Sequence, residues 1–530
     1  MKKSHKVFVA DKLSAEGVAV LEQAPTIEVD FMPGLAEDEV VARVADADAV
    51  IVRSATSINA RVLDAAGRLK VIGRAGIGVD NIDVAAATER GIVVLNTPDA
   101  NATTTAELAV AHLMSLNRHL PQADRSVKAG EWRRGDFVGT ELTGKTIGVV
   151  GFGTIGRIVA DRCRGLKMHV LGFDPFVTEE TFRDAGVEPA DLDSMLAAAD
   201  YITLHCPLTD GTRNIIGAEA IAKMKRGAGL INCARGGLVD EAALAAAVES
   251  GQLAGAALDV FESEPPTDTA VLASDRILLT PHLGASTREA QVAVGTEIAA
   301  QVITFLDTGQ PVNAINLPRI SAEALQRLEP YQVLGRQLGR LLSQMSSAPL
   351  KNVEVGLFGD AASVQVAPLV TEVQVGMLQD HLSAPVNQVN AAHFAQRQGL
   401  SIAHKVSESS RDFVSLLRLT GDCENECITV EGTLYDGRHP RLVRINDYDI
   451  EAPLTGHTLF TRHVDQPGVI GDIGTILGEN GINIARMNVG VGPGSNRAIA
   501  MLGIGQPLED AVLDRLRALP AIEKVMQIEF

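Results

Sequence analysis

The stretch Lys145-Thr-Ile-Gly-Val-Val-Gly-Phe-Gly-Thr-Ile-Gly-Arg157 decides the fold of the chain around it. A β-branched apolar run leads into Gly151-x-Gly153-x-x-Gly156, and the residues that follow continue as a helix. In such a turn the first glycine makes a tight bend, the second lets the backbone approach a pyrophosphate, and the third lets helix and strand pack closely. The phosphates then lie at the helix N-terminus. The stretch therefore predicts a βαβ unit that binds a dinucleotide.

An acidic residue after the next strand indicates which dinucleotide. Asp174 follows the predicted strand Met168–Phe173. It lies near the offset of ~20 residues from the glycine motif at which a carboxylate can bind a ribose 2′-hydroxyl. Pro175 and Phe176 follow, so no cation is placed there for a 2′-phosphate. This pattern favours NAD over NADP. The alternative is a glycine-rich turn with a purely structural role. The strand before it, the helix after it and the acidic residue together favour dinucleotide binding over that alternative.

Composition limits the class of protein. A chain of 530 residues predicts three or four domains, because domains cluster at about 100–150 residues. The net charge of −19 argues against a general affinity for nucleic acid or anionic lipid. The five cysteines have no spacing that completes a zinc site, so we expect reduced thiols and no metal. With no apolar run of membrane-spanning length, the cytoplasm is the expected compartment.

Short apolar runs alternate with helical segments on both sides of the glycine loop. This alternation predicts an α/β fold with two doubly wound parallel sheets, in which ligands bind beyond the C-terminal ends of the strands. The predicted strands are Val7–Ala10, Ile27–Phe31, Ala49–Arg53, Val71–Gly73 and Ile92–Leu95 before the loop, and Tyr201–Cys206, Gly229–Cys233, Gly255–Val260 and Ile277–Thr280 after it.

Residues able to carry chemistry follow several of these strands. Arg235, Glu264 and His282 would converge on one cleft. A fixed guanidinium can grip a carboxylate and polarise a neighbouring carbonyl oxygen. A histidine can exchange a hydroxyl proton while a hydride moves to the nicotinamide, and a carboxylate on its other nitrogen fixes the tautomer. Each residue taken singly has an alternative interpretation: His282 as a core histidine, Glu264 as a cap before prolines, and Arg235 as part of a structural ion pair.

Arginines at earlier strand ends predict an anion pocket. Arg53 and Arg74 each follow a strand beside small residues, although ordinary surface arginines are an equal alternative. Arg133 follows the only tryptophan of the chain, where the charge pattern alone favours a solvated basic pair.

The C-terminal part of the chain changes character. A capping box at Ser286–Glu289 predicts the start of a helix that runs to about Leu306. A helix over 321–343 and a mixed α/β region to Pro453 follow. From His457 the order is βαββαβ, the ferredoxin-like arrangement, with a strand at 482–488 and a glycine-rich turn at 490–494.

Four motifs, in order along the chain, resemble those of the D-2-hydroxyacid dehydrogenase family. They are Gly-Phe-Gly-Thr-Ile-Gly at 151–156, Cys-Ala-Arg-Gly-Gly-Leu-Val-Asp at 233–240, Glu264-Pro-Pro, and Pro-His-Leu-Gly-Ala-Ser at 281–286. The resemblance implies that Arg235, Glu264 and His282 are catalytic. The implied substrate contacts are Arg53, Arg74, Asn101 and Arg133. The implied cofactor contacts are Gly151, Gly153, Thr154, Ile155, Gly156, Asp174, Cys206, Cys233, Ala234, Arg235, Asp259, His282, Leu283, Gly284 and Ala285.

The resemblance also implies the domain organisation. A substrate-binding domain over 1–98 and 285–318 would be interrupted by a nucleotide-binding Rossmann domain over 99–284. An α+β intervening domain over 319–453 would precede a ferredoxin-like unit over 454–530 that is similar to an ACT regulatory domain. Such units bind amino acids across a dimer, which implies His463, Asp465 and Asn483 as effector contacts and a homotetramer as the assembly.

The implied activity is the NAD-dependent oxidation of 3-phospho-D-glycerate to 3-phosphohydroxypyruvate, the first step of L-serine biosynthesis, with L-serine as the feedback effector. An alternative within the same chemistry is a reductase of glyoxylate or hydroxypyruvate. An alternative of another class is a protein that senses NAD without turnover, against which the intact Arg235, Glu264 and His282 argue.

Overall fold

The N-terminal sheet is parallel and covered by helices. The computed structural model describes residues 4–267, 269–318, 320–410, 412–423, 426–494 and 496–530. The sheet has the order β2-β1-β3-β4-β5, and its middle strand β3 is buried along its whole length, as a strand covered on both faces of a parallel sheet is. Its elements are β1 (His5–Val9), α1 (Ala15–Gln23), β2 (Ile27–Phe31), α2 (Glu37–Val44), β3 (Ala49–Val52), α3 (Ala60–Asp64), β4 (Val71–Arg74), α4 (Val84–Glu89) and β5 (Val93–Asn96).

A second parallel sheet contains the glycine loop. Its order is β12-β11-β10-β9-β6-β7-β8, so the direction of winding reverses between β6 and β9. Its elements are α5 (Ala102–Asn117), α6 (Leu120–Lys128), β6 (Thr146–Val150), α7 (Thr154–Gly165), β7 (His169–Phe173), α8 (Glu179–Asp184), β8 (Glu188–Pro189), α9 (Leu192–Ala198), β9 (Tyr201–Leu204), α10 (Ala218–Lys223), β10 (Ala228–Asn232), α11 (Glu241–Glu249), β11 (Leu253–Leu258), α12 (Thr269–Ala273) and β12 (Ile277–Leu279).

Helix α13 (Arg288–Thr308) returns the chain to the first sheet. Its Ile298 and Val302 side chains lie over Gly73 of β4, where a Cβ would come within 2.9 Å of each. The N-cap is Thr287, whose side chain accepts a hydrogen bond from the amide of Ala290. The expected capping box at Ser286–Glu289 is therefore wrong by one residue, because threonine is also a favoured N-cap residue and Thr287 takes that position.

The third unit packs two long helices against a mixed sheet. The sheet has the order β14-β13-β15-β16-β17-β18, with β13 and β14 parallel and the other pairs antiparallel. Helices α14 and α15 approach closely, since a Cβ at Gly376 would lie 2.0 Å from the carbonyl oxygen of Arg336. The elements are α14 (Ala322–Met345), β13 (Asn352–Gly359), α15 (Val366–Leu378), α16 (Ala391–Arg397), β14 (Ser401–Ser407), β15 (Ser415–Cys423), β16 (Glu426–Tyr435), β17 (His439–Ile445) and β18 (Tyr448–Pro453).

The C-terminal unit has the ferredoxin-like order. Its antiparallel sheet, β20-β21-β19-β22, carries two helices on one face. On the other face Phe460 and Met501 share a hydrophobic core with α14, so this unit is packed onto the third. The elements are β19 (His457–Val464), α17 (Val469–Glu479), β20 (Ile484–Val491), β21 (Arg497–Ile504), α18 (Asp510–Arg517) and β22 (Ile522–Glu529).

The predicted fold class is confirmed: two doubly wound parallel sheets precede a mixed sheet and a ferredoxin-like unit. Most boundaries differ from the expected ones by one or two residues. The exception is β20, which extends to Val491 and contains Gly490, a residue assigned to a turn from sequence. Residues 1–3 and 319, at the expected domain boundaries, lie outside the described residues. In the described parts of the chain, no helix combines the length and apolarity that a bilayer crossing requires.

We expect Gly17→Ala to destabilise the N-terminal unit. A Cβ at Gly17 of α1 would lie 2.7 Å from the carbonyl carbon of Gly295 in α13, and backbone cannot yield as a side chain can. Overpacking of this kind typically costs about 1–3 kcal/mol, which exceeds the gain of about 0.5–1 kcal/mol from alanine in a helix.

Gly474→Ala is the matched control, because this glycine of α17 has nothing within 4 Å of the added Cβ. Scanning calorimetry should show a lower unfolding temperature for Gly17→Ala alone. Equal stability of Gly17→Ala and the parent would contradict the close helix contact.

Candidate functional site

The glycine loop between β6 and α7 has the backbone that a bound pyrophosphate requires. Gly151 has a φ of +93°, and a Cβ there would lie 2.6 Å from the amide nitrogen of Cys206. A Cβ at Gly156 would lie 2.1 Å from the Gly151 carbonyl oxygen, so this residue sets the strand-to-helix distance. Gly153 is the N-cap of α7 and makes no side-chain cap. The first amides of α7, at Thr154 and Ile155, are thus suited to receive phosphate oxygens.

Asp174 lies at the end of β7 and is fixed by the backbone. Its two carboxylate oxygens each accept one amide hydrogen bond of 2.9 Å, from Phe152 and from Phe176. Each oxygen retains accepting capacity, which suits the hydroxyls of a ribose. Burial raises the pKa of the Cys206 thiol to about 11, so this side chain at the end of β9 stays protonated and packs as a small apolar group. The residues present therefore fit a dinucleotide.

The turn after β12 is built on Asp259. This carboxylate is fully buried and accepts hydrogen bonds from the Thr280 hydroxyl at 2.5 Å and from the amides of Leu283 at 2.7 Å and Gly284 at 2.9 Å. The amide of His282 donates to the Asp259 carbonyl oxygen, and His282 itself adopts a φ of +53°. The predicted cofactor contacts over 282–285 therefore share one turn, which Asp259 fixes.

His282 and Glu264 form a pair at the surface of the cleft. The Nδ1 atom of His282 lies 2.8 Å from a carboxylate oxygen of Glu264, and both side chains are partly exposed. The other Glu264 oxygen accepts from the amide of Phe261. No hydrogen bond to another described residue engages the Nε2 atom of His282. A histidine oriented in this way can exchange a proton through Nε2 while the carboxylate supports its charged form.

Three arginines gather at the facing strand ends of the two sheets. Arg235 lies against Gly78, pairs with Asp80 at 3.1 Å and donates to the carbonyl oxygen of Ala234. Burial, and then the charges of Arg235 and Arg53, lower the pKa of Arg74 to about 10. The Nε atom of Arg74 is buried without a partner in the described structure. The charges of Arg53 and Arg235 thus repel that of Arg74, and an anion bound among them would relieve the repulsion.

The remaining predicted substrate contacts lie in different surroundings. Asn101, at the start of α5, is buried, and its side-chain oxygen lacks a partner among the described residues. Arg133 is exposed and forms ion pairs with Glu131 and Asp136. No described contact brings Arg133 to the other arginines.

Two further residues with hydrogen bonds at the site are not evident from the sequence. Asn232, the last residue of β10, accepts from the Ala234 amide and donates to the Arg235 carbonyl oxygen, which shapes the loop that carries the arginine. His112 contacts both the thiol of Cys233 and the hydroxyl of Thr280. His112 lies on the buried stripe of α5, where Thr105 and Asn117 are polar as well, so its position gave no distinct signal in the sequence.

The predicted effector residues lie at opposite ends of the C-terminal sheet. His463 is opposite Ala498 in β21, which in turn is opposite Val491 at the end of β20. Asn483 precedes the start of that same strand. At about 3.3 Å per residue, on the order of 20 Å separates the two ends. Burial lowers the pKa of His463, whereas Asp465 and Asn483 are exposed.

Three family models match the chain. Residues 110–284 match the D-isomer specific 2-hydroxyacid dehydrogenase NAD-binding domain, residues 327–446 the D-3-phosphoglycerate dehydrogenase intervening domain, and residues 457–521 the ACT domain. The chain therefore carries an NAD-binding domain, and NAD is its cofactor.

Two kinds of relative extend these matches. D-3-phosphoglycerate dehydrogenase of Bacillus subtilis is 41% identical over 99% of both chains, and that of Synechocystis is 40% identical over 99% of this chain and 94% of its own. Among solved structures, the TT0316 protein of Thermus thermophilus is 33% identical with a TM-score of 0.54, covering 58% of this chain and 99% of its own. A glyoxylate reductase of Paecilomyes thermophila is 30% identical with a TM-score of 0.55, covering 59% of this chain and 99% of its own.

The full-length identity and the three matched domains lead to one conclusion. The chain belongs to the D-3-phosphoglycerate dehydrogenase family, within the D-isomer specific 2-hydroxyacid dehydrogenases.

Proposed function

We propose that the chain oxidises the C2 hydroxyl of 3-phospho-D-glycerate with NAD, giving 3-phosphohydroxypyruvate, the first step of L-serine biosynthesis. One observation carries this proposal: the cleft combines the His282–Glu264 pair with the arginine cluster of Arg53, Arg74 and Arg235. The substrate has two anionic groups, a carboxylate and a phosphate, on either side of the carbon that is oxidised. A cleft with several guanidinium groups beside one proton acceptor matches that distribution of charge.

Each side chain of the cleft has a separate role in this reaction. Arg235 binds the carboxylate and holds C2 beside His282, since its guanidinium is oriented from both sides by Asp80 and the Ala234 carbonyl. Arg53 and Arg74 bind the phosphate. The Nε2 atom of His282 accepts the C2 hydroxyl proton, and Glu264 stabilises the imidazolium that results.

NAD held by the amides of Thr154 and Ile155 and by Asp174 would supply the acceptor for the hydride from C2, and loss of that hydride together with the hydroxyl proton would leave a carbonyl at C2. The protein contributes position and charge to this step. Arg235 lies where it can stabilise negative charge that develops on the C2 oxygen. The proton taken by His282 is then released to solvent, which restores the neutral imidazole.

A reductase of glyoxylate or hydroxypyruvate is the competing activity. Its substrates carry a carboxylate and no phosphate, so Arg235 and His282 would suffice. The additional positive charge of Arg53 and Arg74 favours the phosphorylated substrate. A protein that senses NAD without turnover would not require the His282–Glu264 pair.

Replacing Arg53 by Ala should discriminate between these substrates. Loss of a charge-assisted contact of about 1.5–3 kcal/mol should raise the KM for 3-phospho-D-glycerate by about 10- to 100-fold. The KM for unphosphorylated D-glycerate should change little, because Arg53 has no phosphate to bind there. Steady-state NADH formation measures both constants.

Arg61→Ala is the control for Arg53→Ala, since Arg61 is an exposed arginine paired with Glu37 and Asp38. It should leave both KM values unchanged. Equal effects of Arg53→Ala on the two substrates would refute the phosphate assignment.

Replacing His282 by Gln should lower kcat by about 10²–10⁴, the usual contribution of a general base. His169→Gln is a matched control, because His169 pairs with Glu188 at 2.9 Å on the far edge of the same sheet and lies outside the cleft. Stopped-flow measurement of NADH formation in the first turnover isolates hydride transfer. If His282→Gln keeps kcat within a few-fold of the parent, His282 is not the proton acceptor.

We further propose that L-serine binds the C-terminal unit and reduces activity. Asp465 offers an acceptor for an ammonium group and Asn483 offers an amide. Because they lie at opposite ends of one sheet, a single copy cannot bring them to one ligand. Two copies paired through the edge strand β20 would place Asn483 of one beside the Asp465 end of the other.

The edge strand supports this pairing. Met487, Val489 and Val491 of β20 expose about half of their surface, and an exposed apolar edge is a template for another strand. We propose a homotetramer in which pairing through β20 is one of two kinds of dimer contact.

We also propose the domain boundaries given above. We propose a cytoplasmic location, since each of the five cysteines is a free thiol.

Asn483→Ala should abolish L-serine binding. Calorimetric titration of the parent should show binding and a parallel loss of activity, whereas the variant should show neither. D-serine is the control ligand, because its ammonium and hydroxymethyl groups cannot meet both partners at once. Absence of binding to the parent would discard serine sensing, and binding without loss of activity would discard feedback.

A further inference from the structure

A continuous chain of polar groups, buried except for the partly exposed Thr280, connects helix α5 to the catalytic turn. The Nδ1 atom of His112 lies 3.4 Å from the sulfur of Cys233, and its Nε2 atom lies 3.1 Å from the hydroxyl oxygen of Thr280. That hydroxyl lies 2.5 Å from the carboxylate of Asp259, which also receives the amides of Leu283 and Gly284. His112, Cys233 and Asp259 are each less than a tenth exposed.

The positions of the protons follow from the acceptor at one end. Asp259 already receives two amides and, as a carboxylate, only accepts, so the Thr280 hydroxyl hydrogen points to it. The remaining lone pairs of Thr280 then require a donor, which is the Nε2–H of His112. This tautomer leaves Nδ1 as an acceptor for the thiol of Cys233. Burial lowers the pKa of His112 and raises that of Cys233, which keeps both groups in the neutral forms that the chain requires.

We propose that His112 is a positioning residue for hydride transfer: through Thr280 and Asp259 it holds the turn 282–284 and with it the proton acceptor His282. The expected effect on kinetics rests on the proposed function. The expected effect on structure, which is the rigidity of the turn, does not depend on that function.

The turn needs such support because of its own backbone. His282 adopts a left-handed φ of +53°, which a residue with a Cβ favours only when its surroundings hold it there. Two of the three consecutive amides at 282–284 are held by the Asp259 side chain, and the third by its carbonyl oxygen. Any rotation of that carboxylate would therefore move the whole turn. The Thr280 hydroxyl opposes the rotation only while it points toward Asp259, and the imidazole N–H of His112 fixes that direction.

The test compares His112→Leu with His112→Gln in the full-length protein. Leucine fills the space but donates no hydrogen bond, whereas the Gln amide can replace the Nε2–H. Hydrogen exchange followed by mass spectrometry should show amides 282–284 exchanging about fivefold faster in His112→Leu, the equivalent of one ordinary hydrogen bond. His112→Gln should exchange at the parental rate. A peptide from the glycine loop at 151–156 serves as the internal reference, so that a general loss of stability is recognised by faster exchange in both places.

The effect on kcat relative to KM is a second measurement, and it would not change if His112 had only a structural role. In His112→Leu the kcat should fall about tenfold with KM values within about twofold, because a displaced base affects the reacting geometry more than binding. His112→Gln should restore kcat to within about twofold. Thr280→Val removes the next member of the chain, so the double variant His112→Leu/Thr280→Val should be no slower than Thr280→Val alone.

Several results would overturn the inference. One is unchanged exchange at 282–284 in His112→Leu, and another is equal exchange rates at 282–284 in the Leu and Gln variants. A third is that the reference peptide of His112→Leu exchanges faster by the same factor as amides 282–284. A fourth is that the losses of kcat are additive in the double variant. A parent that does not oxidise 3-phospho-D-glycerate would refute the proposed function instead, and the exchange comparison would still decide whether His112 holds the turn.

Discussion

The whole site depends on one constraint, that parallel strands present their C-terminal ends at the same edge of a sheet. Two such edges face each other here, and Arg53, Arg74, Arg235, Glu264 and His282 lie at or after strands that end at one of them. The ion pair between Arg235 and Asp80 crosses between the two units, and the hydrogen bond from the Thr105 hydroxyl to the Gly284 carbonyl oxygen joins α5 to the catalytic turn within the second unit. Helix α13 makes the arrangement possible, because it carries the chain from the second sheet back to the first and packs there against glycines of α1 and β4.

Within this frame the electrostatics are local. The chain has a net charge of −19, yet the cleft concentrates guanidinium groups whose mutual repulsion, added to burial, lowers the pKa of Arg74 to about 10. An acidic surface disfavours anions at long range, so anion binding has to be achieved by contact geometry and desolvated donors at the site itself. Asp259 shows the opposite case, in which a fully buried carboxylate is made acceptable by three hydrogen-bond donors and in return fixes the turn that carries His282.

Most of the fold could be predicted from the sequence because its determinants are local. Apolar runs of strand length alternating with helical segments specify parallel sheets, and Gly151, Gly153 and Gly156 specify the loop between β6 and α7. Spacing did not reveal Asn232, whose hydrogen bonds to Ala234 and Arg235 depend on the conformation of the loop after β10, or His112, whose contacts join elements that are distant in the chain. The end of β20 was misplaced because Gly490 was assigned to a turn. Its Cβ position lies 2.3 Å from the carbonyl oxygen of Asp449, so a glycine is needed for the close approach of β18.

The packing of the C-terminal half limits how an effector could act on the cleft. Phe460 and Met501 join the core of α14, and the Gln344 side chain bonds the backbone of Glu529, so the fourth unit is packed firmly onto the third. The third unit in turn contacts the first where Asn387 donates to the Gly91 carbonyl oxygen and Val389 enters the core of the first sheet. A ligand bound at the fourth unit changes the cleft only if it favours one arrangement of these contacts over another. The contact around Gly91, rather than the extensive interface between the third and fourth units, is therefore where two arrangements would differ.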